Sequence, residues 1–266
     1  MAEGRGNAFE RMFRADAAQY CTHVKCEQLQ YMVNISLKHR YLYFENAKAA
    51  CTTIKATLRE LELGVPIRDE WELRSLHGRE YSPLLRPSQV GNLSEFLGRP
   101  DIFRFTFVRN PYTRILSCYL DKILRNRPPK RIILSCLGLD PADREQPISF
   151  DQYVGVICDQ EIIDMNTHWR IQYYQTCQEL ISYDYIGKVE SFEDDFRAVL
   201  ARLLGGEGHT IRMGTWHSTG AASRLENYYT AELARKILLK YEKDFQKFGY
   251  DPDISMALKP GENLNS

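Results

Sequence analysis

The sequence predicts an α/β protein with a mainly parallel central sheet flanked by helices. Three observations support this fold class. Two segments, at 41–64 and 103–123, each read as a strand followed by a short polar loop and an amphipathic helix. A third segment, at 183–189, is typical of a further strand. Strands that alternate with helices usually form a parallel sheet that is covered on both faces.

The first of these units begins with the aromatic run Tyr41–Phe44, which favours a buried strand. A short polar turn follows it. Ile54, Leu58 and Leu61 then fall on one face at helical spacing. Gly64 is suited to end this helix, because glycine adopts the left-handed conformation that often closes one.

The second unit begins with the apolar run Phe103–Val108. Asn110 and Pro111 break the strand, and proline suits the first turn of a helix. The apolar residues between 115 and 123 then recur at helical spacing. In open parallel sheets, ligands bind at the carboxyl ends of the strands, so we expect both loops at one binding edge.

Both ends of the chain are predicted to be helical. Residues 1–30 are expected to form a helical lead-in, and residues 230–251 one long amphipathic helix. The buried stripe predicted for this C-terminal helix contains Leu233, Ile237, Leu238, Tyr241, Phe245 and Phe248. No segment resembles a linker, so residues 1–266 are predicted to form one domain with its core at about 40–252.

The 266-residue chain carries 35 basic and 35 acidic residues, so its formal net charge is zero. This balance argues against general electrostatic binding of nucleic acid or of a membrane surface, and any anion site must be local. The first twenty residues are polar and charged, and no apolar run reaches the length of a membrane span. We therefore expect a cytoplasmic protein without a membrane span.

Seven cysteines are scattered along the chain, and no two of them form a CxxC pair. This spacing supports neither a zinc site nor thioredoxin-type chemistry, so we expect no metal. The odd count and the scattered positions favour free thiols.

The loop after the first strand has the composition of an anion site. It contains Lys48, Ala49, Ala50, Cys51, Thr52 and Thr53. Unpaired N–H groups and the helix dipole attract anions to the start of a helix, and here a lysine and two hydroxyls add to them. On this loop alone an alternative stays open, in which a threonine caps the helix and Lys48 is a solvated surface charge.

The loop after the second strand combines an arginine with a serine. Arg109 ends the strand, and Ser117 lies about two turns into the following helix. The guanidinium fork matches the oxygens of a phosphate, so the two side chains suit one phosphate group. The alternative is an arginine that pairs with a carboxylate and a serine that merely packs.

A nucleoside triphosphate site, as in a nucleotide kinase, is the nearest rival interpretation. Its loop requires the pattern GxxxxGK[ST], because glycines there adopt positive φ and let the backbone approach the phosphates. This chain has no glycine between Gly6 and Gly64. The sequence therefore argues against such a site.

Together the two loops resemble those of the PAPS-dependent carbohydrate sulfotransferases that act on chondroitin, dermatan and the HNK-1 glycan. The resemblance rests on the segments AKAACTTIK at 47–55 and RNP at 109–111, together with Ser117. Ala47 and Ile171 replace prolines of the family pattern. Further similar segments are NTHWRIQ at 166–172, YDYIGKVESFEDDF at 183–196 and DFQKFGYD at 244–251, so the resemblance runs from about residue 40 to 252.

The resemblance implies a P-loop-like sulfotransferase fold and in-line transfer of a sulfuryl group from PAPS (3′-phosphoadenosine 5′-phosphosulfate) to a hydroxyl, without a metal. It implies that Lys48 stabilises the leaving group, and that Arg109 and Ser117 hold the 3′-phosphate. The residues expected against the 5′-phosphate are Ala49, Ala50, Cys51, Thr52 and Thr53. Ser218 and Thr219 are expected in a loop that closes over the nucleotide, and a simple capped turn is the alternative.

The acceptor hydroxyl requires a general base, and histidine is the natural choice near neutral pH. His77 lies between the two loops, in the interval where related heparan sulfate sulfotransferases carry their base. His168 lies in the His-Trp motif shared with the chondroitin-type branch. A carboxylate, Glu80 or Glu72, is a further candidate, and a purely structural role is the alternative for each histidine.

The acceptor implied by the resemblance is a glycan, which is expected to be anionic if the basic segment 109–131 receives it. The basic residues of that segment are Arg109, Arg114, Lys122, Arg125, Arg127, Lys130 and Arg131, against the one acid Asp121. A solvated helix face explains them equally well. A lipid or small-molecule alcohol stays open as acceptor. So does a different class of function, an inactive relative that binds a nucleotide or acidic glycan.

Overall fold

The computed structural model describes residues 13, 15–206 and 220–261. Its strands, in spatial order, are β1 (Val33–Ser36), β2 (Tyr41–Phe44), β3 (Phe103–Val108) and β4 (Tyr185–Lys188). β1 is antiparallel to β2, whereas β2 pairs with β3, and β3 with β4, in parallel. The prediction of a mainly parallel sheet flanked by helices is confirmed.

The helices lie between and after these strands. They are α1 (Cys26–Met32), α2 (Cys51–Leu63), α3 (Glu70–Ser75), α4 (Leu93–Leu97), α5 (Pro111–Cys118), α6 (Lys130–Cys136), α7 (Phe150–Asp159), α8 (Gln172–Gln175), α9 (Phe192–Leu204), α10 (Leu225–Tyr228), α11 (Ala231–Lys240) and α12 (Glu242–Phe248). The 3₁₀ turns are Ala18–Cys21, Arg79–Tyr81, Pro87–Gln89, Ile162–Asp164, Val189–Ser191, Ala222–Arg224 and Ile254–Met256, and a π-helical turn at Tyr119–Ile123 extends α5.

The sheet is apolar on both faces, as the side-chain alternation of its strands requires. Tyr43 and Phe105 stack on one face with ring centroids 5.1 Å apart, and α2 and α9 cover them. Leu42 and Phe44 point to the other face, where α1 and α4 pack. A third buried cluster joins α5, α7, α11 and α12 beyond the end of β3.

The two predicted strand–loop–helix units are confirmed, and the third predicted strand is real but shorter. α2 ends at Gly64, which has the left-handed φ of 70° that the glycine predicted. The prediction of one long C-terminal helix is wrong, because the chain bends at Tyr241 between α11 and α12. The bend brings the carboxylate of Asp244 to the start of α8. Of the predicted stripe, Leu238 alone is only partly buried.

The expectation of free thiols is wrong for two cysteines. The turn Ala18–Cys21 and the start of α1 bring the Cα atoms of Cys21 and Cys26 to 5.6 Å, and a disulfide joins them. The free cysteines are Cys51, Cys118, Cys136, Cys158 and Cys177. Within the part of the chain that the structure describes, no helix is long and apolar enough to cross a membrane.

Candidate functional site

The loop between β2 and α2 is tightly wound although it contains no glycine. Lys48 and Ala50 adopt left-handed φ values of 69° and 57°. Such a conformation costs free energy in residues with a side chain and is concentrated at functional sites. Positive φ in this loop therefore does not require glycine. The GxxxxGK[ST] pattern of a triphosphate site is still absent from the chain.

The start of α2 keeps the features of an anion site. Ala50 occupies the capping position, and its methyl group accepts no hydrogen bond from the first turn. Thr53 is buried inside the helix, so the alternative of a threonine cap is not what the structure shows. The N–H groups that open this 13-residue helix are left to an anion or to solvent.

Lys48 is an ion-paired side chain and not a solvated one. Its Nζ lies 2.9 Å from Oδ2 of Asp121, and only 12% of the side chain is exposed. Lys122 lies 3.1 Å from the same oxygen. Burial opposes the charge of Asp121, but the two ammonium groups hold its pKa well below the ordinary range. The π-helical turn that carries Asp121 thus places two cations around one carboxylate.

The second loop contacts the first directly. Nε of Arg109 donates to Oγ1 of Thr113 at 3.0 Å, and Nη1 donates to the carbonyl of Lys48 at 3.4 Å. No carboxylate of the described residues forms an ion pair with Arg109. Burial lowers the pKa of Arg109, and Glu190 opposes this effect. Ser117 is buried one helical turn beyond Thr113, on the same face of α5.

His77 lies beside the first loop. Its Nε2 is 3.3 Å from Oγ1 of Thr52, in the first turn of α2, and its side chain is exposed. The carboxylate alternatives differ in this respect. Glu72 is buried and accepts hydrogen bonds from Arg68, so it is committed to an ion pair. Glu80 is exposed.

His168 lies close enough to Lys48 and Lys122 for their charges to act on it. Its Nδ1 is 2.7 Å from Oδ1 of Asn166, which makes Nδ1 the protonated nitrogen. Burial, followed by the charges of Lys122 and Lys48, lowers the pKa of His168 to about 3. The side chain is therefore neutral at pH 7 and weakly basic. The Cys51 thiol is also neutral, since burial raises its pKa to about 11.

A buried polar network beneath the two loops was missed by the sequence analysis. Asn46 donates to the carbonyl of Phe107 at 3.0 Å and to Oε1 of Gln172 at 2.8 Å. Oε1 of Gln172 also accepts from the backbone of Arg109 at 2.9 Å, and its Nε2 donates back to the Arg109 carbonyl at 2.8 Å. The glutamine thus fixes the ends of β2 and β3 relative to each other.

Asp244 anchors this network from α12. Its carboxylate accepts the backbone N–H groups of Gln172 and Tyr173 at 2.9 and 2.8 Å. Burial raises the pKa of Asp244 to about 6, although these N–H groups favour the charged form. Similarly, Glu190 accepts from the backbone of Asn110 at 2.9 Å. The segments that carried the resemblance therefore meet in one place.

The basic segment 109–131 divides into buried and exposed parts. Arg114 is fully buried and donates to the carbonyls of Ala47 and Arg170 at 3.0 and 2.7 Å. Lys130 is also buried, and Lys122 pairs with Asp121. The exposed members are Arg125, Arg127 and Arg131. The predicted contacts of Ser218 and Thr219 lie outside the described residues.

The comparison with protein families agrees with this site. The model of the sulfotransferase family matches residues 31–251. The chain belongs to this family. The match spans both loops, the buried network and the residues around His77 and His168.

The similar proteins are carbohydrate sulfotransferases. Carbohydrate sulfotransferase 14 of Danio rerio is 28% identical over 231 residues, which cover 80% of this chain and 60% of that protein. Carbohydrate sulfotransferase 12 of Mus musculus is 28% identical over 246 residues, covering 80% and 58%. Carbohydrate sulfotransferase 10 of Xenopus laevis is 25% identical over 238 residues, covering 81% and 66%. The chain thus spans about 60% of the length of the first of these relatives, and no solved structure matches it.

Proposed function

We propose that this sulfotransferase moves the sulfuryl group of PAPS to a hydroxyl of a carbohydrate. The observation that carries the proposal is the contact between the two loops, through Arg109 Nη1 and the Lys48 carbonyl. It places a lysine, an arginine and an uncapped helix start at one edge of the sheet. A donor with phosphate groups at two positions needs two such cationic loops side by side, whereas ATP needs only one.

The residues present fit such a donor. Arg109 is half-buried, and its Nη2 has no partner among the described residues, so a donor group remains for a phosphate oxygen. The Nδ2 of Asn110 is likewise buried without a described partner. Within the described residues, no three metal-binding side chains cluster. The proposed phosphate ligands are side chains and N–H groups of the protein.

Lys48 is proposed to stabilise the charge that develops on the leaving oxygen. PAPS, when bound, supplies an activated sulfuryl group with a phosphate as leaving group. Preorganised cations at the position where charge develops usually make the greatest contribution to the catalysis of such transfers. Asp121 holds the Nζ of Lys48 in place, so the lysine is ordered before the chemistry begins.

His77 is the proposed general base. It is exposed, and it lies within hydrogen-bond distance of Thr52 at the helix start. A general base works best when its pKa is close to the working pH. The pKa of about 3 makes His168 a poor base, so its proposed role is to shape the wall beside Lys48 and Asp121.

A transfer assay tests the proposed function. The purified protein is incubated with ³⁵S-labelled PAPS and a panel of desulfated glycans, and label in the glycan fraction is counted. We expect label with the wild type and with Lys247→Ala, an exposed control on α12, and at most about a hundredth of that label with Lys48→Ala. Tight PAP binding without transfer to any acceptor would instead indicate the inactive binding protein. Turnover of ATP but not of PAPS would contradict the proposal.

A further inference from the structure

The disulfide between Cys21 and Cys26 closes a loop that packs against the helix carrying Gln172, and the mechanism above does not use it. It joins the end of the 3₁₀ turn Ala18–Cys21 to the first residue of α1. Both cysteines are partly exposed, so a dithiol in solution can reach the bond. The free thiol of Cys177, by contrast, is buried.

Two contacts fasten this disulfide loop to the segment 170–177. The ring of His23, inside the loop, lies against the ring of Tyr174 with the centroids 4.5 Å apart. The thiol of Cys177 donates to the carbonyl of Tyr20 at 3.7 Å. The loop and the residue before it thus touch the same short stretch of chain.

A third contact runs through the start of α1. Oε1 of Gln28 accepts from Nη1 of Arg170 at 2.8 Å and from the backbone N–H of Lys25 at 3.2 Å. This one amide oxygen therefore holds the first turn of α1 and the buried guanidinium of Arg170 together. Because the disulfide fixes Cys26 in that first turn, it also fixes where Gln28 lies.

The donor loops rest on segment 170–177. Gln172 binds the side chain of Asn46 and the backbone of Arg109, and Gln175 donates to Oδ1 of Asn46 at 3.1 Å. The disulfide loop contacts the chain on both sides of these two glutamines. A change in the loop therefore has a continuous path of buried contacts to both donor loops.

We infer that Cys21–Cys26 is a reducible site whose disulfide positions the two donor loops, so that a dithiol reductant weakens donor binding by opening it. A thiolate of the dithiol attacks one sulfur and breaks the S–S bond, and its second thiol then displaces the mixed disulfide. Two electrons and two protons pass to Cys21 and Cys26, and the dithiol becomes a disulfide. The inference rests on the proposed function, because the donor nucleotide is its readout.

Calorimetric titration of PAP into the oxidised protein, and into the protein reduced with dithiothreitol, tests the inference. We expect reduction to weaken PAP binding about 2- to 30-fold, the usual range for a change coupled through packed side chains. The double variant Cys21→Ser/Cys26→Ser should bind PAP as weakly and should not respond to the reductant. Cys136→Ser, which removes an exposed free thiol, should respond to it as the wild type does.

Two further measurements separate positioning from stability alone. Coupling between two sites is reciprocal, so saturating PAP should shift the exchange equilibrium with dithiothreitol toward the protein disulfide, by the factor that reduction costs in PAP affinity. Gln28→Leu keeps the disulfide and removes the acceptor for Arg170. It should weaken PAP binding and lessen the effect of reduction.

PAP affinity that complete reduction leaves unchanged would overturn the inference, even if reduction lowered the free energy of unfolding. Hydrogen exchange needs no ligand and keeps the two proposals apart. We expect reduction to speed exchange at the bonded amides of Arg109, Gln172 and Tyr173, and a change confined to residues 18–32 would also overturn the inference. Absence of PAP binding to the oxidised wild type contradicts the proposed function, and the exchange rates then decide on the disulfide.

Discussion

The proposed donor loops and the segment 77–89, which begins at the proposed base, are built in opposite ways. The donor loops are fixed from below by buried side chains, with Gln172 bound to both Asn46 and Arg109. Segment 77–89 contains two short 3₁₀ turns, and it joins the sheet through the isolated bridge between Ile35 and Leu85 and through the side chain of Arg79. The donor side also pairs the charge of Lys48 with Asp121, whereas Arg79 and Arg86 of segment 77–89 form no ion pair within the described residues.

This difference matches the demands of the two halves of the proposed reaction. A leaving group must be placed within a fraction of an ångström, so its ligands belong on a rigid, fully hydrogen-bonded support. An acceptor saccharide needs charge and shape recognition, which surface segments on a scaffold provide. Substitutions on the donor side, and substitution of His77 itself, are therefore expected to affect kcat or folding, whereas those elsewhere in segment 77–89 should mainly affect KM.

The largest effect is expected from the proposed base. His77→Gln should lower kcat by about 10²- to 10⁴-fold, the usual contribution of a positioned base. His168→Gln is the matched comparison. An activity that stays level down to pH 5 and depends on His168 would assign the base to that residue, whose pKa is about 3.

The next effect is expected from the charge at the leaving group. Lys48→Ala should lower kcat by about 10²- to 10³-fold, comparable to the removal of one preorganised donor. Single-turnover assays at saturating PAPS measure this directly. A rise of the same size in the KM for PAPS, with an unchanged kcat, would mean that Lys48 only binds the donor. In that case Lys48 would not stabilise the leaving group.

A folding effect of about 3 kcal/mol is expected from Asp244. Its pKa of about 6 in the folded protein exceeds the ordinary 3.8, so folding favours the protonated form. The stability from this group is fully present below pH 3.8 and is lost as pH rises through about 6. The Asp244→Asn variant has no carboxyl group that titrates at this position. The free energy of unfolding of the variant, relative to that of the wild type, should therefore rise by up to about 3 kcal/mol from pH 4 to 7. Urea unfolding at several pH values measures this difference. The exposed Asp159→Asn is the control, and its stability relative to the wild type should not change with pH.

The smallest effect is expected from Asp121. Asp121→Asn should lower kcat about tenfold, because Lys48 loses the partner that orders it. The same variant should bind PAP more tightly, because one negative charge has left an anion site. If Asp121 had only a structural role, its substitution would lower both kcat and the affinity for PAP. Steady-state kinetics measures kcat and calorimetry measures the affinity, so together they distinguish the two roles.

The parts of the fold that follow local rules could be predicted from the sequence. Each of these signals determines the structure of only the few residues around it. They are the aromatic run of β2, the Asn-Pro pair that ends β3 and the glycine that ends α2. The positions of the two loops, each between a strand and a helix start, could be predicted in the same way, whereas their role as an anion site stays a prediction. The bend at Tyr241 escaped prediction, since the apolar stripe continues across it.

The rest depends on contacts between distant residues. Asn46 and Gln172 are 126 positions apart, and no periodicity in either segment indicates that their side chains meet. Asp244 lies in the first turn of an amphipathic helix, where an acid is expected to face solvent, yet it is fully buried. The left-handed Lys48 and Ala50 also depend on this support, because the loop sequence alone does not favour that conformation.

A calorimetric titration of PAP tests the donor site most directly, with ATP as the competing ligand and Arg109→Ala as the variant. We expect PAP to bind the wild type far more tightly than ATP, and Arg109→Ala to weaken PAP about 10- to 150-fold while leaving the weak ATP binding unchanged. Absence of PAP binding, or PAP binding that is indifferent to Arg109, would contradict the assignment of the two loops to one nucleotide with two phosphate positions.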